Sequence, residues 1–149
     1  MITRTQISFS ASGESFKPST LNLPFSQSED SGSIGKKGRY KGNPIPEGYV
    51  SFSVPETELY GIKYLHDLVI PLIPDLRKAG ATDFSVHITF FYEDQCALGF
   101  SSEETQMLSD FDCAISIDCW VNEKTQLPNK RFKSDSGIGS ANFNFQLTN

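Results

Sequence analysis

The chain has 149 residues, 38% of them hydrophobic and 12% aromatic. This is too apolar for a chain disordered throughout, and the length suits one domain with a real core. Its 18 acidic residues outnumber 13 basic ones, for a formal charge of -5, which argues against a general nucleic-acid binder because phosphate neutralisation needs a basic surface.

In chain order, Thr5–Ala11 alternates, with Ile7, Phe9 and Ala11 on one face and Ser8 and Ser10 on the other, so a half-buried strand is expected. Residues 12–48 are rich in Ser, Gly, Pro and Lys and read as a long polar loop, able to act as a lid over a small ligand. Gly32 to Gly38 brings glycines and lysines together but lacks the phosphate-loop pattern. Tyr49–Val54 alternates again and predicts a second strand.

Pro55 with Glu56 and Glu58 resembles a helix start, and Leu65, Val69, Leu72, Ile73 and Leu76 follow at helical spacing. Pro71 and Pro74 split that run into one helix ending near Val69 and a second begun by Pro74, since an interior proline removes a hydrogen bond and crowds the preceding turn. Gly80 supplies the stop. Asp83–Tyr92 is the clearest strand, with Phe84, Val86, Ile88 and Phe90 inward and His87 on the polar face. Cys96–Phe100 reads as a short return strand after a turn at Glu93-Asp94-Gln95. Ser101 and Glu104 form a capping-box pattern opening a helix. Asp112–Trp120 is a further strand with Cys113, Ile115, Ile117 and Cys119 inward.

These elements predict a single α+β domain over residues 1–120, a mostly antiparallel sheet with two or three helices packed on it. Residues 121–149 form a polar tail with an edge strand at 141–147. No apolar run reaches the ~20 residues of a membrane helix, and no secretory signal is evident, so a cytoplasmic protein without membrane contact is expected.

Three cysteines without paired spacing are poor material for disulfides and show no zinc pattern, so Cys96, Cys113 and Cys119 read as reduced structural thiols. No metal or cofactor is expected. A thiol nucleophile would need Cys96 to meet His87 across the expected hairpin. The neighbouring carboxylates are explained by turn and capping roles rather than by general acid–base catalysis.

The charge is uneven: residues 55–120 carry twelve acids against three bases, whereas both flanks are slightly basic. From Gly80-Ala81-Thr82-Asp83, through Tyr92, Gln95-Cys96 and Phe100 to Glu104, to Ile115-Ser116-Ile117-Asp118-Cys119, the chain resembles small bacterial domains. Some of these are encoded as immunity proteins beside polymorphic or contact-dependent toxins. The resemblance implies a non-enzymatic α+β protein that neutralises a basic toxin domain, often a nuclease. Such a partner would be steered by long-range attraction. The expected docking residues are Glu93, Asp94, Asp110, Asp112 and Trp120. A small-ligand regulatory module and a thiol enzyme are the alternatives.

Overall fold

A computed structural model describes residues 1–25 and 27–121, together with the backbone of 143–145. Among the described residues six strands form one sheet: β1 (Ile2–Gly13), β2 (Gln27–Glu29), β3 (Gly48–Ser53), β4 (Asp83–Tyr92), β5 (Ala114–Val121) and β6 (Phe143–Phe145). Their order across the sheet is β2-β3-β1-β4-β5-β6. All neighbours are antiparallel except β4 and β5, which run parallel. The helices are α1 (Gly61–Val69), α2 (Ile73–Lys78) and α3 (Ser102–Asp110). This is an α+β domain, as the sequence pattern predicts.

Alternation in the central strands sets the architecture. Ile7, Phe9 and Ala11 of β1 and Val86 and Ile88 of β4 are buried on one face. Ile62, Leu65 and Val69 of α1, Leu76 of α2 and Leu108 of α3 cover that face and join the same core. Phe9 lies at its centre, its ring 6.2–6.3 Å from those of Phe25, Phe84 and Phe111. The described helices therefore all contribute to one side of the sheet.

The prolines act as their chemistry requires: α1 stops at Val69, a 3₁₀ turn carries Pro71, and Pro74 sits in the first turn of α2. Helix α2 ends on Gly80 at φ +104°. The Gly80 amide donates to the Arg77 carbonyl and the Ala81 amide to the Leu76 carbonyl, both at 3.0 Å. This pair of bonds is the Schellman arrangement, closed by buried Leu76 and Ala81. Ser101 and Glu104 make both halves of the capping box at α3.

Three expectations change. Residues 96–100 are not a strand. Both edges of β4 are already occupied, by β1 and β5, so no edge remains for a return hairpin. The chain instead crosses over through α3, and β5 comes back parallel. The helix expected from Pro55 begins at Gly61, and Glu56 pairs with Arg4 and Gln6 of β1. Residues 12–48 are built rather than open: β2 adds an edge to the sheet, and Phe16, Pro18, Phe25 and Ile45 are buried. Backbone bonds from Lys17 to Ala79, Ser31 to Phe16 and Gly32 to Ile45 pin the segment. The expected edge strand near the end is β6, whose backbone pairs with β5; the rest of 122–149 lies outside the described residues.

Gly80→Ala should lower stability by about 2 kcal/mol, because an alanine is strained at positive φ and loses the Schellman stop. Its Cβ would also lie 2.7 Å from the Ser15 carbonyl oxygen. Urea unfolding checks this; a change of only a few tenths would show that the turn adjusts freely.

Candidate functional site: the open face of the sheet

The alternation that fills the core sends polar side chains to the opposite face, which the described helices leave open, although Thr89 on it is buried between its neighbours. Strand register then fixes their neighbours. Ser8 of β1 is aligned with His87 of β4 and Ser116 of β5. One row along are Gln6, Thr89 and Asp118, and beyond them Arg4, Phe91 and Trp120. The Ser10 and Ser85 hydroxyls are 2.8 Å apart, tying β1 to β4. His87 Nε2 lies 2.9 Å from Asp118 Oδ2, tying β4 to β5. The Arg4 guanidinium sits 3.9 Å above the centre of the Phe91 ring and 3.5 Å from Glu56 Oε1.

Trp120 is 53% exposed and is aligned with Phe91, while Tyr92 is aligned with Val121. Glu93 and Asp94 follow directly, both exposed. Asp118 precedes Trp120 by two residues and so shares its face. One end of the sheet thus carries an exposed indole with Asp118 on its face, Arg4 in its row, and Glu93 and Asp94 just past the end of β4. Among the described residues, no ion pair engages Glu93 or Asp94.

The five residues expected to form one docking patch fall in two places. Glu93, Asp94 and Trp120 lie towards this end. Asp110 closes α3 and Asp112 stands in the turn before β5, at φ +46°. The start of β5 is aligned with Ser85 and Trp120 with Phe91, a separation of about 20 Å by strand rise. Parallel pairing is the reason: residues that follow β4 and residues that precede β5 lie at opposite ends of the sheet. Asp118 was missed as a site residue. Its place on a polar strand face was legible from alternation, but its contact with His87 required the β4–β5 register.

Asp110 has a structural task. His66 Nε2 is 2.9 Å from its Oδ2, and Gln106 Nε2 donates to its Oδ1 at 3.1 Å, joining α1 to α3. His66 packs edge-on to Phe111, with ring centres 6.0 Å apart.

The structure does not bring Cys96 and His87 together. Cys96 Sγ lies 3.0 Å from Cys119 Sγ. Cys119 is aligned with Phe90 and belongs to the covered face by alternation, whereas His87 points to the open face. Burial pushes the Cys113 thiol up to about 11. Cys119 is also pushed up to about 11, first by desolvation and then by its contact with Cys96. Among the described residues, no group of three or more His, Cys, Asp or Glu is placed to hold a metal, and no helix is long and apolar enough to cross a membrane.

The His66 contact, then that of Gln106, holds the Asp110 carboxyl below its ordinary value of 3.8. A depressed carboxyl stabilises the fold above its unfolded pKa, and that contribution disappears as pH falls through the folded value. In His66→Ala, the Asp110 carboxyl should therefore titrate at higher pH than in the parent chain, as followed by carbon NMR; an unchanged midpoint would break the assignment. No protein-family model matches this chain, and neither a curated protein nor a solved structure is significantly similar to it.

Proposed function

We propose that this chain is a non-enzymatic acidic binding protein that neutralises a basic toxin domain, for example a nuclease. It docks through the Trp120 end of the open sheet face. The observation that supports this most is an exposed tryptophan at an end of the sheet rich in carboxylates: Trp120 at 53% exposure, with Asp118 two residues before it and Glu93 and Asp94 just past the end of β4. A large aromatic anchor within a polar rim is the usual composition of an energetic hot spot. Carboxylates around it attract a cationic surface and exclude anionic ones, which favours a partner that itself binds phosphate.

The charge distribution supports the same reading. The segment 55–120 has nine more acids than bases. Two of its three cations pair with neighbouring carboxylates: Lys63 donates to Asp67 at 2.6 Å, and Lys78 lies 3.5 Å from Asp75, while Arg77 sits 5.5 Å over the Phe84 ring. Those pairs are solvent-exposed and contribute little to stability. They do leave the remaining carboxylates to set the field. Asp110 and Asp112 contribute to the net charge at long range but do not belong to the docking contact.

Co-expression with C-terminal toxin domains encoded beside the gene tests the proposal. Growth rescue and a co-purifying complex are expected; failure with every such domain contradicts it. Within a complex, Trp120→Ala should weaken affinity at least about 30-fold, corresponding to ~2 kcal/mol. Glu93→Lys with Asp94→Lys should slow association and flatten its salt dependence. Asp110→Asn should leave affinity within about threefold, since rim-distant charges act weakly. Titration calorimetry and stopped-flow kinetics measure these; an equal loss from Asp110→Asn would place the contact elsewhere.

A further inference from the structure

Cys96 and Cys119 are 23 positions apart in sequence, yet their sulfurs are 3.0 Å apart. Cys96 stands in the segment that leaves β4 for α3, and Cys119 lies near the end of β5. Two unlinked sulfurs do not ordinarily approach so closely, and a disulfide would need them at ~2.05 Å. About 1 Å of sulfur movement, within the reach of side-chain rotation, separates the two states. Cys119 is exposed, and Cys96 and Cys113 are both partly exposed, but the Cys113 thiol is turned away from the pair, to the Ala114 carbonyl at 3.5 Å.

We infer that Cys96 and Cys119 are a redox pair that closes into an intramolecular disulfide, with Cys113 remaining a free thiol. This inference rests on the sulfur geometry and is independent of the docking proposal. It replaces the expectation of three separate structural thiols. Sequence spacing could not find the pair, because the register of β5 and the path of the crossover bring the two residues together.

The co-reactant is a low-molecular-weight disulfide such as glutathione disulfide. One thiol of the pair loses its proton to water, and its thiolate attacks a sulfur of the reagent, displacing a glutathione thiolate that takes up a proton. The second thiol, deprotonated in turn, attacks the protein sulfur of that mixed disulfide and releases the second glutathione. Two protein thiols are oxidised to one disulfide, and one glutathione disulfide is reduced to two thiols. The closed loop would contain α3 and the first part of β5. It would fasten the segment carrying Glu93 and Asp94 to the strand carrying Trp120.

The test uses the full chain, reduced and then equilibrated in glutathione buffers of increasing oxidised fraction, followed by alkylation and non-reducing peptide mass spectrometry. The expected product lacks two hydrogens per chain, links the Cys96 and Cys119 peptides and leaves Cys113 alkylated. Its thermal midpoint should exceed that of the reduced chain by several degrees, because the link restricts the unfolded chain. Cys113→Ala should leave formation of the link unchanged. In Cys119→Ser, Cys96 should instead accumulate as a glutathione adduct. Full alkylation of both Cys96 and Cys119 in oxidising buffer, glutathione adducts alone on the parent chain, or a link through Cys113 would each overturn the inference.

Discussion

The constraint on which this structure depends is the period-two alternation of β1 and β4 at the centre of the sheet. Each is hydrogen-bonded on both sides, so neither can turn its apolar row elsewhere without moving four strands. Ile7, Phe9 and Ala11 beside Val86 and Ile88 make one apolar face, and the described helices cover it. The same alternation obliges Ser8, Ser10, His87 and Thr89 to face the other way. The core and the candidate site are thus two consequences of one pattern.

Charge follows from that division. Helix α1 carries Lys63 against Asp67 on its next turn, and His66 reaches across to Asp110 on α3, so part of the charge on the helical layer is engaged within it. At the far end of the sheet Glu93 and Asp94 follow β4, and β5 carries the exposed Trp120 towards the same end. A carboxylate cluster alone suggests only solubility. Carboxylates around an exposed tryptophan give both attraction at long range and apolar area at contact, which is what a binding surface requires.

Features whose causes are local were legible in the sequence. The limits of β4, the split between α1 and α2, the stop at Gly80 and the capping box at Ser101 each depend on a few adjacent residues. Features that depend on which edges of the sheet are free were not. The run after Glu93 has the residues of a return strand, but β1 and β5 already flank β4. Acids at Glu56 and Glu58 mimic a helix start, yet Glu56 is held by Arg4 and Gln6. Of the candidate site, the positions of Trp120, Glu93 and Asp94 at strand ends were legible in the sequence. The partnership of His87 with Asp118, the separation of Asp110 and Asp112 from the others, and the contact of Cys96 with Cys119 all depend on the parallel direction of β5, which no local pattern encodes.

Because Trp120 is the only tryptophan in the chain, its fluorescence reports on the proposed surface directly. Collisional quenching by caesium and by iodide compares the local field acting on a cation and an anion at the same indole. An indole accessible to solvent and surrounded by Asp118, Glu93 and Asp94 should be quenched more strongly by caesium than by iodide at low ionic strength, with the difference shrinking as salt is added. Quenching by neither ion, or stronger quenching by iodide, would contradict an exposed, acidic Trp120 surface.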